Sequence, residues 1–201
     1  MYNKTKGLFI HIPKTAGTSI GKLEFVEINK RRPHISSLNM LKAIGLQEWE
    51  NRFTFSFVRN PFDRMASTYH YFINMKSGHE WYVGKNIGIS ELLKKYPTFQ
   101  EFCLDFKRLK LAKDRHFLPQ WNWVCDESRN VLVKFVGRYE TLERDVNTAA
   151  GMVGYRNKIL LPHENRSVHE DYRNYYNKQC IEVVLNLYSF DFSIFGYSKN
   201  L

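Results

Sequence analysis

Apolar residues fall along this chain in two alternating rhythms. Gly7-Leu8-Phe9-Ile10-His11-Ile12 is a short apolar run halted by Pro13, and a run of that length before a breaker predicts a buried strand. From Gly17 the spacing widens, with Ile20, Leu23 and Val26 on one side of a predicted helix. Arg31 to His34 reads as a basic turn, after which Ser36 or Ser37 can cap a helix with apolar positions Leu38, Leu41 and Ile44. Phe53 to Val58 repeats the strand signal. Asn60 then caps a helix that starts at Pro61 and carries Phe62, Met65, Ala66, Tyr69 and Phe72 at helical spacing.

The rhythm breaks over residues 74–98, which are rich in Gly, Lys and aromatics and read as a long loop able to cover a site; helix returns around Phe99 to Leu111. Val131 to Val136 predicts a third strand, Leu142 to Val153 a helix, and Asp171 to Tyr188 a C-terminal helix. Strands that alternate with helices imply a central, mainly parallel sheet flanked by helices, an α/β fold. With 201 residues, 43% hydrophobic and 15% aromatic, residues 1–201 are expected to form a single domain with a substantial core.

Composition narrows the function. No stretch nears the roughly 20 apolar residues of a membrane span, and Met1 to Gly7 runs into the first strand without a signal-peptide core. The expectation is a soluble, unprocessed, cytoplasmic chain without membrane insertion. Cys103, Cys125 and Cys180 stand far apart with no CxxC pair, which suggests buried thiols and neither a disulfide framework nor a zinc site. A formal charge of +10 suits an anionic ligand such as a nucleotide, a sulfated glycan or a nucleic acid, and suits a basic solvated surface equally.

The chemistry concentrates in Pro13-Lys14-Thr15-Ala16-Gly17-Thr18-Ser19. A loop between a strand and a helix N-terminus offers backbone N–H groups and the positive end of a helix dipole to a phosphate. Here Gly17 lets the backbone approach the anion, Thr18 and Ser19 add hydroxyls, and Lys14 adds a positive charge. In the nucleotide-triphosphatase loop, by contrast, the lysine follows the glycine and the next hydroxyl binds magnesium. Lys14 precedes Gly17, and Val131 to Val136 runs into Gly137-Arg138 rather than an acidic magnesium ligand. Both departures favour a transfer without metal.

His11-Ile12-Pro13-Lys14-Thr15-Ala16-Gly17-Thr18-Ser19 resembles the 5′-phosphosulfate-binding loop of the PAPS-dependent sulfotransferases, especially the carbohydrate O-sulfotransferase branch. Phe57-Val58-Arg59-Asn60-Pro61-Phe62-Asp63-Arg64-Met65-Ala66-Ser67 resembles that family's 3′-phosphate motif, with Arg59 and Ser67 at the positions that hold the phosphate. Weaker similarity continues through Gln120, Val136 to Leu142, Leu161 to Asn165 and Asp191 to Tyr197. Arg138, Glu140 and Asp145 read as structural ion-pair or capping residues, while Asn165, Arg166 and Ser167 are candidates to reach the nucleotide. The resemblance implies a P-loop-like three-layer α/β fold, PAPS as donor, PAP as product, no metal, and a hydroxyl acceptor, a carbohydrate or glycoside.

Sulfuryl transfer asks for in-line attack, stabilisation of the bridging oxygen that leaves, and a base for the acceptor proton. Lys14 suits the leaving oxygen. For the base, the resemblance implies His34, which stands between the loop's helix and the next capped helix; Glu24 and Glu27 are the alternatives. His11 is expected to pack structurally, and His70, His79, His116, His163 and His169 have weaker cases. Two other readings compete: a small P-loop kinase, opposed by the lysine order, and a noncatalytic binder of nucleic acid or glycan using Arg31-Arg32 and the stretch from Tyr69 to Tyr82. No nucleic-acid motif accompanies the charge, so no nucleic-acid partner is expected. Arg31, Arg32, Lys76, Lys85 and Lys95 are candidates to grip an acidic sugar.

Overall fold

The computed structural model describes residues 6–76, 78, 83–161 and 171–201. In chain order the elements are β1 (Gly7–Ile10), α1 (Gly17–Ile20), β2 (Val26–Glu27), α2 (Ser37–Ile44), α3 (Leu46–Glu50), β3 (Thr54–Val58), α4 (Pro61–Ile73), α5 (Lys85–Leu93) and α6 (Phe99–Leu109). They continue with α7 (Trp121–Val124), β4 (Phe135–Arg138), α8 (Leu142–Met152), α9 (Lys178–Leu187) and α10 (Ser189–Phe195). The chain packs as two compact units, Met1–Asn60 with Pro119–Glu164 and Pro61–Leu118 with Asn165–Leu201.

The first unit holds the sheet. Its four strands lie in the order β2-β1-β3-β4, and every pairing is parallel, with Gly7 opposite Val26, Leu8 opposite Thr54 and Phe55 opposite Phe135. The predicted α/β architecture with a parallel sheet flanked by helices is therefore the one observed. All five residues of β3 are buried, as a central parallel strand requires. Ser56 is accommodated there because its hydroxyl donates to the Ile10 carbonyl at 2.7 Å, and a buried hydroxyl without a partner would be costly. Phe9, Phe25, Phe55 and Phe57 pack with Val146, Ala149 and Ala150 of α8, and the Phe9 and Phe55 rings stack with centroids 5.2 Å apart.

The second unit is helical. Phe62, Met65, Ala66, Tyr69 and Phe72 form the buried face of α4, as their spacing predicted, and meet Phe99, Phe102 and Phe106 of α6 and Val184 and Tyr188 from the C-terminal segment. Arg64, fully buried, donates through Nη2 to the carbonyls of His116 at 3.0 Å and Leu118 at 2.8 Å.

Four sequence expectations are corrected. The helix expected through Val26 ends at Ile20; Gly21 weakens it, and β-branched Val26 instead pairs with Gly7 at the sheet edge. The expected loop 74–98 contains α5, with Ile89 and Leu93 buried and the Ser90 hydroxyl donating to the Phe72 carbonyl at 2.8 Å. The third strand begins at Phe135 rather than Val131, which makes only an isolated bridge to Cys125. The helix expected over Asp171 to Tyr188 is instead a 3-10 turn at Tyr172–Tyr175 followed by α9, which Asn177 caps by accepting from the Cys180 N–H at 2.9 Å, and α10 lies beyond the expected span.

Candidate functional site

The loop after β1 is shaped by its own backbone. The Thr15 hydroxyl donates to the Ile12 carbonyl at 2.9 Å, so this side chain is spent on closing the loop. Lys14 and Ala16 both adopt left-handed conformations, with φ of 71° and 64°. For residues that carry a Cβ this costs on the order of 1 kcal/mol each, and left-handed residues in such a turn orient successive N–H groups as an anion-binding nest. Ala16 occupies the N-cap of α1 without a side-chain hydrogen bond, so backbone donors at this helix start are not capped by that residue. Thr18 is exposed and Ser19 half-buried.

Gly17 has a steric role that the sequence did not show. A Cβ there would lie 1.9 Å from Cδ2 and Nε2 of His11. The His11 ring in turn sits 5.6 Å from the Phe9 ring and 4.3 Å from the His34 ring. His34 Nδ1 lies 3.3 Å from the His11 carbonyl oxygen. A carbonyl only accepts, so Nδ1 carries the proton in this contact and the neutral ring keeps its lone pair on Nε2. Trp123 meets the same ring edge-on at 6.2 Å. His11 thus packs structurally, as expected, and it links the loop to His34.

Arg59 follows β3 and is held on three sides. Its N–H donates to Gln120 Oε1 and its carbonyl accepts from Gln120 Nε2, both at 2.8 Å. Its guanidinium lies 4.0 Å over the Tyr139 ring, and Nη1 donates to the Lys14 carbonyl at 3.2 Å. Burial, and then the nearby charge of Arg59, lower the Lys14 pKa to about 7. Neighbouring supports are structural: Glu140 Oε1 accepts from the Asn60 N–H at 2.6 Å, and Asp145 Oδ2 accepts from the Arg138 N–H and the Thr141 hydroxyl, both at 2.8 Å.

The structure therefore brings Lys14, Thr15, Arg59 and His34 into one connected region of the first unit. Ser67 belongs to α4 in the second unit, where it is buried. Of the alternative bases, Glu27 is committed to buried Arg52 by an ion pair at 2.7 Å, and Glu24 accepts from the Tyr155 hydroxyl at 3.1 Å. His116 is paired with Asp114 at 2.9 Å. His79, His163, His169, Asn165, Arg166 and Ser167 lie outside the described residues. Among the described residues, no three His, Cys, Asp or Glu side chains gather as metal ligands do, and no helix is long and apolar enough to cross a membrane. Sequence reasoning gave Gln120 and Tyr139 little chemistry; nothing local announces a partner 61 residues from Arg59.

The model of the sulfotransferase family matches residues 1–198, and the chain belongs to that family. Similar proteins include carbohydrate sulfotransferase 11 of Rattus norvegicus, 26% identical over 95% of this chain and 64% of the relative. Carbohydrate sulfotransferase 14 of Danio rerio is 25% identical over 94% of this chain and 59% of the relative, and that of Homo sapiens 25% identical over 94% and 57%. The chain thus spans less than two thirds of the length of these relatives. No solved structure matches it. Family membership does not favour the kinase or the noncatalytic reading.

Proposed function

We propose that the chain transfers a sulfuryl group from PAPS to a hydroxyl of a carbohydrate or glycoside by in-line displacement without a metal. The observation that carries this is the joining of the phosphate-type loop to Arg59, through the 3.2 Å hydrogen bond to the Lys14 carbonyl, in a member of the sulfotransferase family. In this reading the N–H groups of the loop, with Thr18 and Ser19, hold the 5′-phosphosulfate, and Arg59 holds the 3′-phosphate. Lys14 stabilises charge on the oxygen that leaves, and His34 Nε2 takes the acceptor proton. The carbohydrate acceptor rests on the names of the relatives.

Calorimetric titration with PAP in chelator, with ATP-magnesium as comparison, tests the donor. Metal-independent PAP binding that is lost in Arg59→Ala is the expected result; a preference for ATP-magnesium would reopen the kinase reading.

Lys14 adds a proton-linkage prediction. Above about pH 7 the folded chain holds Lys14 largely neutral while the unfolded chain keeps it charged up to the ordinary lysine range. Its contribution to stability therefore rises with pH across that window. A bound polyanion restores the charge. PAP binding at about pH 8 is expected to take up roughly one proton, and at about pH 6 far less, read from the dependence of binding enthalpy on buffer. Lys14→Arg, charged throughout, should abolish the uptake; undiminished uptake in that variant would place the proton elsewhere.

A further inference from the structure

A buried glutamine side chain that closes on both polar groups of one backbone residue leaves that residue a single orientation. Gln120 is fully buried, and its amide donates to and accepts from Arg59 at 2.8 Å in each direction. Only one orientation of the amide satisfies both bonds, because the N–H must meet an acceptor and the carbonyl a donor. The other end of Arg59 is fixed by the Tyr139 ring at 4.0 Å and by the Lys14 carbonyl at 3.2 Å. A flexible arginine is thereby held at both backbone and guanidinium, with its rotamer entropy already spent before any anion arrives.

We infer that Gln120 and Tyr139 are positioning residues that preorganise Arg59, and that this clamp sets the preference for a nucleotide bearing a 3′-phosphate over one without it. The inference rests on the donor reading above and extends it from the residue that meets the phosphate to the residues that aim it. Neither residue needs to touch the nucleotide. Gln120 stands just ahead of α7, and Tyr139 follows β4 directly, so the clamp draws on two segments far from the loop in sequence.

The test compares the affinities of PAP and of adenosine 5′-monophosphate, which lacks the 3′-phosphate. Gln120→Leu is expected to weaken PAP binding about tenfold while changing the monophosphate less than about twofold. Tyr139→Ala, at a half-buried ring that folding tolerates better, should shift the same ratio, and Tyr139→Phe, which keeps the ring, should restore it. A merely structural role would weaken both nucleotides alike, and that result in both variants overturns the clamp. An unchanged ratio in both variants overturns it as well. A parent chain that binds the two nucleotides equally removes the donor reading, and the clamp with it.

Discussion

His34→Ala is expected to lower turnover roughly 100-fold or more while leaving PAP affinity nearly unchanged. The ring is oriented by a bond from Nδ1 to the His11 carbonyl oxygen, which leaves Nε2 as the basic atom. A hydroxyl attacking sulfur must lose its proton as the bond forms, and without a base that step falls to solvent. His34→Gln sharpens the test, since its amide can still donate to the His11 carbonyl but offers no nitrogen lone pair of comparable basicity. Equal losses in both variants assign the effect to proton transfer; retained turnover in His34→Gln would make the ring a spacer, and retained turnover in both would remove His34 as the base. Glu27 is a poor substitute, because its carboxylate balances the charge of buried Arg52, and removing it would leave that charge less compensated.

The strand-loop-helix units were legible because their signals are local. An apolar run before Pro13, a lysine and a glycine in a short loop, and Asn60-Pro61 ahead of a helical stripe are each read from neighbouring residues. Strand β4 was misplaced by a few residues for the opposite reason. Val131 and Val133 have the composition of a strand, yet pairing depends on which residues stand opposite Phe55 to Val58, and Phe135 to Arg138 fill those positions. Helix α5 was missed because Gly84, Gly88 and the lysines around it read as loop, whereas its formation rests on tertiary contacts such as the Ser90 bond to Phe72. At the site, residue types were readable and their restraints were not. Lys14 and Arg59 announce themselves as anion ligands, but residue types do not reveal the left-handed backbone at Lys14, and the grip of Gln120 and the ring of Tyr139 exist only once distant segments meet.

Gly17→Ala is expected to weaken PAP binding roughly tenfold to 100-fold and to lower turnover with it. The added Cβ would lie 1.9 Å from the His11 ring, well inside any tolerated separation. That ring is flanked by Phe9 at 5.6 Å and His34 at 4.3 Å. Relief comes by turning the His11 ring, by displacing His34 or by moving the start of α1 and the loop before it. The two explanations for this glycine then separate cleanly. If it is required to make room for His11, His11→Ala in the Gly17→Ala background should return PAP affinity close to that of His11→Ala alone, a coupling between neighbours that a double-mutant cycle reads directly. If the glycine is required because the nucleotide itself approaches the bare backbone, the double variant will stay as weak as Gly17→Ala. The first outcome would make His11 the reason the loop carries glycine and would tie the geometry of the donor site to the placement of the base.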